Sequence, residues 1–300
     1  MKNLKIILNL VLVFAFSLQF LQAQTNENQK LPIDPQVVYG KLDNGLTYYI
    51  RKNETPKNRA QFWLTVNAGA ILENDNQNGL AHFCEHMAFN GTKNFEKKEI
   101  INYLQRVGMK FGPEINAYTN YDITNYMLQK VPIDVKENID TSLQILYEWA
   151  YNLSFDSKEI DDERGVIHEE WRTRRSASFR MRGVTDKILY QGSKYAERDV
   201  IGDIDIIDNF KYKTIIDFYK TWYRPDLQAI IIVGDFDVKE MEQKVIKLFS
   251  TAPKTEKPKE RKEFEIPDHD ETYVAIAKDK EARFSRVSVY YKHDRMTQTP

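Results

Sequence analysis

The chain has 300 residues, of which 42% are hydrophobic and 29% charged, proportions typical of a globular protein of about two domains. Lysine and arginine number 43 against 44 aspartates and glutamates, so the net charge gives no reason to expect a nucleic acid or an anionic membrane as partner. A single cysteine excludes an intrachain disulfide.

The N-terminal 23 residues differ in character from the rest of the chain. Lys2 and Lys5 precede an apolar run at 6–20, and Ala23 offers a small residue for cleavage, which together predict a secretory signal peptide. An uncleaved amphipathic anchor is the alternative. Removal of this segment would leave a net charge of about −3. We therefore expect an exported protein, periplasmic or extracellular, without a stable membrane span.

Strands are predicted first along the mature chain, after a polar stretch at 24–34. Residues 37–51 have the pattern of strand, turn and strand, and Asn44-Gly45 suits the turn of a tight hairpin. Residues 60–66 alternate between apolar and polar, which predicts a third strand. A polar loop at 73–79 then leads into a helix.

This helix, at 80–89, carries an H-x-x-E-H motif. Residues three and four apart share a helix face, so His82, Glu85 and His86 should project together. Two imidazoles suit a tetrahedral zinc ion, and Glu85 is placed to take a proton from a metal-bound water. The arrangement is the inverted zinc-hydrolase motif. Cys84 lies on the opposite, apolar face, which predicts a small buried hydrophobe and neither a ligand nor a nucleophile.

Helices and strands alternate over the middle of the chain. The predicted elements are a helix at 96–107, strands at 111–119 and 123–131, a helix beginning near 132–134, helices near 204–210 and 214–222, a strand at 228–233 and a closing helix at 238–249.

A long helical stretch begins at Asp156 and carries two candidate metal-site carboxylates. Its predicted apolar stripe comprises Ile160, Val166, Ile167 and Trp171. Glu163 and Glu170 lie seven residues apart within that stripe, whereas Glu169 rotates away from it. Carboxylates on a buried face are costly unless they are paired, hydrogen-bonded or bound to a metal. We predict Glu170 as the third zinc ligand and Glu163 as a supporting carboxylate; a salt-bridged surface helix is the alternative.

The C-terminal part of the chain changes in composition. Residues 252–271 are rich in Lys, Glu and Pro without apolar periodicity, which predicts an interdomain linker. Residues 272–277 and 284–291 resemble two strands of a further domain. Roughly thirty residues cannot bury a core alone. We therefore predict a first domain at 24–251 and the beginning of a second, truncated, at 272–300.

These motifs together resemble those of a known family. The block GLAHFCEHMAFNGT at 79–92 resembles the signature of the pitrilysin/insulinase family of zinc metallopeptidases, the inverzincins. The resemblance covers roughly residues 36–250 and continues at 116–119, 163–170, 222–225 and 233–235.

Carried over residue by residue, the resemblance implies one zinc ion held by His82, His86 and Glu170. It also implies activation of water by Glu85, with Glu163 as a supporting carboxylate at the catalytic site. Asn116 and Ala117 match the edge strand to which family members add the substrate as a further strand.

The same resemblance implies the fold class. We expect an α+β domain with an antiparallel-rich mixed sheet and helices packed on one face, followed by the start of a second similar domain. A complete enzyme of the family joins two such halves around a chamber, so a second homologous half is expected in the same chain or as a separate subunit.

The predicted function is that of an exported zinc metalloendopeptidase, which hydrolyses peptides or unfolded segments through a zinc-activated water with Glu85 as general base. A catalytically silent scaffold or assembly subunit of the same fold is the main alternative. A zinc hydrolase with a non-peptide substrate is a third hypothesis, since the metal site itself is compatible with it.

Overall fold

A six-stranded sheet organises the part of the chain that the computed structural model describes, residues 32–293. The strands are β1 Val37–Lys41, β2 Thr47–Lys52, β3 Arg59–Val66, β4 Ile115–Thr119, β5 Thr124–Pro132 and β6 Gln228–Gly234. Their order across the sheet is β1-β2-β6-β3-β5-β4, and every neighbouring pair is antiparallel except β2 and β6, which are parallel. The predicted signal peptide lies outside the described residues.

Eight α-helices occur within residues 32–293. They are α1 Leu80–Met87, α2 Glu99–Arg106, α3 Lys136–Tyr151, α4 Ser157–Arg174, α5 Ala177–Leu189, α6 Ile204–Asn209, α7 Tyr212–Trp222 and α8 Val238–Phe249. The sheet and these helices belong to one compact unit, Gln36–Tyr291. The predicted fold class, a mixed and mostly antiparallel sheet with helices, is confirmed.

The core lies on the face of the sheet that the helices cover. On β3, Phe62, Leu64 and Val66 are completely buried, whereas the alternate residues Trp63 and Thr65 are only half-buried on the other face. The alternation follows from the period of two in a strand. Each large apolar side chain buried in this way contributes roughly 1.5–3 kcal/mol of transfer free energy.

The helix α3 connects this core to α1. Trp149 of α3 is fully buried, and its indole nitrogen donates a hydrogen bond of 2.8 Å to the carbonyl of Ala88, directly after α1. The ring of Trp149 also lies 5.3 Å from that of Tyr126 on β5. A carbonyl at the end of a buried helix needs such a donor, because helix C-termini leave their last carbonyls without intrahelical partners. Trp149 therefore fixes the C-terminal end of α1 to the sheet.

Three details differ from the sequence-based expectations. The helix α5 was not predicted; none of its residues is buried, and its apolar side chains are at most partly buried. Val166, which we placed in the apolar stripe of α4, is 51% exposed, whereas Ile160 and Ile167 are buried as predicted. Residues 252–293 contain neither helix nor strand, so the two strands predicted there are wrong for this structure.

The segment after α8 nevertheless contacts the domain at defined points. Arg261 donates from Nε to the carbonyl of Asn67 at 2.9 Å, and the Lys194 ammonium lies 4.8 Å from the centre of the Phe264 ring. Further along, apolar side chains such as Val287 and Tyr291 are about nine-tenths exposed. Isolated strands are marginal in water without partners to pair with. The domain boundary near 252–271 stays a prediction.

Replacing Trp149 with Phe should destabilise the domain. The change leaves the Ala88 carbonyl without its donor, which costs about 1–3 kcal/mol, and a small cavity adds to the loss. Urea unfolding followed by circular dichroism measures the difference. Trp63→Phe, at the half-buried face of the same sheet, is the matched control and should lose clearly less; equal losses would contradict the role given to the indole N–H.

Candidate active site

The helix α1 begins in a tightly built loop. Gly79 precedes it with φ of +103°, a left-handed conformation that favours glycine, and a Cβ there would lie 2.8 Å from the Cα of Gly202. The carboxylate of Glu73, which is completely buried, accepts hydrogen bonds from the N–H groups of Gly79 at 3.0 Å and Ala81 at 2.7 Å. These groups fix the N-terminal end of α1 and satisfy two of its backbone donors.

The three predicted ligand residues come together between α1 and α4. The Nε2 atom of His82 lies 3.7 Å from Oε2 of Glu170, and the Nε2 atom of His86 lies 3.3 Å from the same oxygen. One ligand atom from each residue fits within a 4.8 Å cluster. A tetrahedral zinc ion with bonds of about 2.0–2.1 Å would hold its ligand atoms roughly 3.4 Å apart. The donor types and spacing therefore fit zinc.

The two histidines have different surroundings. His82 is 4% exposed, and its burial, with the charges of His86 and Arg174, lowers its pKa to about 3. Burial also acts to lower the pKa of His86, but hydrogen bonds with Glu163 and Glu170 outweigh it and raise that pKa to about 9. His82 is therefore neutral at pH 7, whereas His86 carries a proton that a metal ion would have to displace.

Glu163 fixes the orientation of His86. Its Oε1 lies 2.7 Å from Nδ1 of His86, and its Oε2 accepts a hydrogen bond of 2.5 Å from the Asn90 side chain. When Nδ1–H donates to the carboxylate, the lone pair of Nε2 is directed toward Glu170 and is available to a metal. Within the described residues, Nδ1 of His82 is buried without a hydrogen-bond partner.

Glu170 is held from its other side by an arginine. Its Oε1 pairs with the guanidinium of Arg174, one helical turn further along α4, while Oε2 faces the histidines. Burial acts to raise the pKa of Glu170, but the hydrogen bond with His86 and the electrostatic effects of His82 and Arg174 lower it overall. Glu169 lies on the exposed face and pairs with Arg172 at 2.8 Å. This matches the helical phasing that the sequence predicted.

Glu85 lies beside the ligands on the same helix and is 8% exposed. Its Oε2 accepts a hydrogen bond of 2.6 Å from the Thr119 hydroxyl on β4. Burial raises the pKa of Glu85, although the bond from Thr119 and the charge of His86 act in the opposite direction. A carboxylate with a raised pKa is a better base than an exposed one, so the position suits proton transfer.

The strand β4 forms the edge of the sheet next to this cluster. Backbone hydrogen bonds join Glu114 to Gln129 and Asn120 to Ile123, and bonded pairs recur at every second residue of an antiparallel ladder. Asn116 therefore directs its backbone toward β5, and the backbone of Ala117 is directed toward the free edge. The Asn116 side chain accepts a hydrogen bond of 2.9 Å from the N–H of Ala117.

Four residues contribute to this site although the sequence analysis gave them no role there. Asn90 and Thr119 lie inside the blocks that carry the family resemblance, but nothing in one sequence shows which distant side chain each contacts. Arg174 could have been found, because it stands four residues after Glu170 on a helix and that spacing favours an ion pair. The carboxyl group of Glu73 accepts its hydrogen bonds from backbone N–H groups, which leave no pattern in the sequence.

Comparison with known proteins bears on the assignment. The sequence profile described as Insulinase (Peptidase family M16) matches residues 48–192, and a second, described as Peptidase M16 inactive domain, matches residues 209–299. The chain belongs to the M16, or insulinase, family of peptidases. The family resemblance predicted from the sequence is thereby confirmed.

Individual members of the family are similar over most of the chain. A probable zinc protease, PqqL, of Haemophilus influenzae is 42% identical over 246 residues, which are 81% of this chain and 26% of that protein. Its namesake in Escherichia coli is 34% identical over 292 residues, or 97% of this chain and 30% of the relative. The crystal structure of the first half of the periplasmic protease PqqL from Escherichia coli matches with a TM-score of 0.74 at 36% identity, over 78% of this chain and 50% of that one.

The extent of these matches bears on domain organisation. The chain spans about a quarter to a third of the length of the two curated relatives. The second M16 profile begins at residue 209, inside the compact unit described above. It therefore includes β6, a strand of the six-stranded sheet, together with the helices α7 and α8. The sheet extends to β6, which lies between β2 and β3 as one of its central strands. Among residues 32–293, no helix is long and apolar enough to cross a membrane.

The buried Glu73 should make stability depend on pH. Burial raises its pKa from 4.5 to about 8, against the effect of its two backbone hydrogen bonds and of Arg198 and Lys194. A group whose pKa is raised on folding stabilises most below its unfolded pKa and loses that contribution as the pH rises toward about 8. The free energy of unfolding should therefore fall by up to about 1.4 kcal/mol per pH unit across this window through Glu73 alone.

Urea unfolding of the metal-free protein at pH 5.5 and 7.5 checks this expectation. Glu73→Gln should be less stable overall but should have a flatter pH dependence than the wild type. Glu169→Gln, on the exposed face of α4, is the control and should leave the slope unchanged, because the hydrogen bond and charge of Arg172 keep the pKa of Glu169 below its usual range. A Glu73→Gln variant with the wild-type slope would show that Glu73 is ionised throughout the range.

Proposed function

We propose that this chain is the zinc-bearing part of an exported metalloendopeptidase that hydrolyses peptide bonds in peptides or unfolded segments. The observation that carries the proposal is the approach of His82 and His86 to one oxygen of Glu170, at 3.7 and 3.3 Å, with Glu85 beside them on the same helix. The names of the relatives, which are zinc proteases, support the same conclusion.

The ligands in this proposal are His82, His86 and Glu170. Three protein ligands leave the fourth position of a tetrahedral site open, so we expect one zinc ion per chain. Glu163 and Asn90 keep His86 in the tautomer that offers Nε2, and Arg174 keeps Glu170 turned toward the histidines.

When bound, zinc supplies a Lewis acid that activates a water molecule and polarises the scissile carbonyl. Glu85 takes the proton of that water as general base and returns it to the leaving amine as general acid. Its burial supports the first role, because a raised pKa makes the carboxylate a stronger base. Glu163 acts at the catalytic site through His86 and does not take part in proton transfer to the substrate.

The proposed mode of substrate binding is addition of an extended peptide to β4. The backbone of Ala117 is directed toward the free edge, and Asn116 lies next to it. Main-chain hydrogen bonds would supply affinity with little demand on sequence. Only an unfolded or loosely structured segment can present such a strand, which is why we propose peptides and unfolded segments as substrates.

Two rival functions are weaker on the same observations. A silent scaffold of this fold has no need of its ligands, whereas His82, His86, Glu170 and Glu85 are all present and brought together. A zinc hydrolase with a non-peptide substrate gives no reason for a free strand edge next to the general base. We therefore retain the peptidase.

We further propose export and a second homologous half. The predicted signal peptide at 1–23 and the relative named as a periplasmic protease support export to the periplasm or beyond the cell. The match of residues 209–299 to a second M16 profile supports a second half, in the same chain or as a separate subunit.

Substitutions at Glu85 and Glu170 should separate catalysis from metal binding. In the full-length protein, Glu85→Gln should keep about one zinc ion per chain and lose hydrolysis of an unstructured fluorogenic peptide by about 10²- to 10⁴-fold in kcat. Glu170→Gln should weaken zinc binding by more than the roughly 10- to 100-fold that loss of an outer-shell partner costs.

Metal analysis after dialysis and steady-state kinetics give both readouts. Glu169→Gln, on the exposed face of α4, is the matched control and should behave like the wild type. Loss of zinc from Glu169→Gln instead of Glu170→Gln would overturn the ligand assignment, and wild-type protein that folds correctly but holds no zinc would overturn the proposed function.

A further inference from the structure

We propose that Thr119 is a positioning residue for Glu85. The Thr119 hydroxyl holds one oxygen of the Glu85 carboxylate and thereby leaves the other oxygen to carry the proton. The inference rests on the proposed peptidase function. Its basis is the hydrogen bond of 2.6 Å that Oγ1 of Thr119, on the edge strand β4, donates to Oε2 of Glu85 on α1. The two residues are 34 positions apart in the chain.

The direction of this hydrogen bond follows from the available protons. An ionised carboxylate only accepts, so the single hydroxyl proton of Thr119 goes to Glu85. The neighbouring hydroxyl of Thr124, 3.4 Å from that of Thr119, donates to the carbonyl of Ala68 at 3.0 Å. Thr124 therefore has a partner of its own, and Thr119 is free to donate to Glu85.

The two oxygens of Glu85 are made unequal by this contact. Oε2 accepts from Thr119. Among residues 32–293, Oε1 has no hydrogen-bond donor, so it is the oxygen that is available to take a proton. After Oε1 is protonated, Oε2 is the carbonyl oxygen of a carboxylic acid and still accepts the same hydrogen bond. Thr119 therefore keeps its hold on Glu85 in both protonation states, and the proton returns from Oε1 to the leaving amine.

The support behind Thr119 is rigid. It is the last residue of β4, paired with Thr124 across the ladder to β5, and its β-branched side chain has few accessible rotamers. Glutamate has three side-chain torsions and would otherwise sample several positions. Because a displacement of about 1 Å can cost roughly 10²-fold in rate, a fixed carboxylate matters for the chemistry.

The same residue also belongs to the proposed substrate strand. The alternation that directs the Ala117 backbone toward the free edge applies two residues later, so the Thr119 backbone also faces that edge. A peptide added to β4 would pair with the backbone of Ala117 and Thr119, while the Thr119 side chain holds the general base. One short segment would thus align the substrate and the base relative to each other.

The test compares two substitutions at this position in the full-length, zinc-loaded protein. Thr119→Val keeps the shape of the side chain but removes the hydroxyl, and Thr119→Ser keeps the hydroxyl. We expect Val to lower kcat by about 10- to 100-fold, as for other groups that orient a catalytic residue, with KM and zinc content close to wild type. Ser should restore most of kcat. Thr65→Val, on the other face of the same sheet, is the control and should have wild-type kinetics.

Several outcomes would overturn the role of Thr119. They are wild-type kcat in Thr119→Val, an equal loss in Thr119→Ser, which would indicate a packing effect, or a change confined to KM. Crystal structures give a readout independent of activity: in Thr119→Val the Glu85 carboxylate should leave its present position while His82 and His86 keep theirs. An unmoved carboxylate would refute the proposal even if the wild type proved inactive, and inactivity of the zinc-loaded wild type would by itself count against the proposed function alone.

Discussion

The contact between α1 and α4 is the constraint on which the rest of the structure depends. It brings two imidazoles and two carboxylates, those of Glu163 and Glu170, into a region mostly closed to water. Such a cluster is costly unless its charges are balanced. Without a metal, the raised pKa of His86 means that a proton supplies positive charge between the carboxylates. In the proposed zinc-bound protein, the ion would take over that role, with Glu170 as a ligand and Glu163 as its supporting carboxylate.

The surroundings of α1 can be understood as anchors for this contact. Glu73 binds two backbone N–H groups at the start of the helix, and Trp149 binds the carbonyl of Ala88 just after its end. Beyond that end, the buried carboxylate of Glu148 accepts hydrogen bonds from the backbone and side chain of Asn94, which fixes the following loop. Because α1 has only eight residues, its own hydrogen bonds would not keep it helical, and these tertiary contacts set its position.

Sequence reasoning succeeded where one local pattern determines the result. The spacing of His82, Glu85 and His86 places them on one helix face, and the phasing of Glu170 against Glu169 needs only the helical period. It failed where the decisive partner is distant. Asn90 contacts Glu163 across 73 positions, and the 272–291 segment has the composition of strands without a partner strand in the described residues. The helix α5 was missed as well; none of its residues is buried, so the core places little constraint on its sequence.

The edge of β4 shows how the proposed substrate strand can remain unpaired without promoting aggregation. An unpaired strand edge invites pairing with other chains, and proteins protect such edges. Here the Asn116 side chain accepts the hydrogen bond of the Ala117 N–H, so this donor is satisfied while no peptide is bound. A peptide carbonyl that replaces the Asn116 side-chain oxygen exchanges one hydrogen-bond acceptor for another. That single hydrogen bond therefore adds no more than about 1.5 kcal/mol to the free energy of binding. Affinity must then accumulate over several residues along the strand. In the proposed mode of binding, a chain that extends past both Ala117 and Thr119 is therefore favoured over a short or folded one. Thr119 would then pair with the substrate through its backbone while its side chain donates to Glu85.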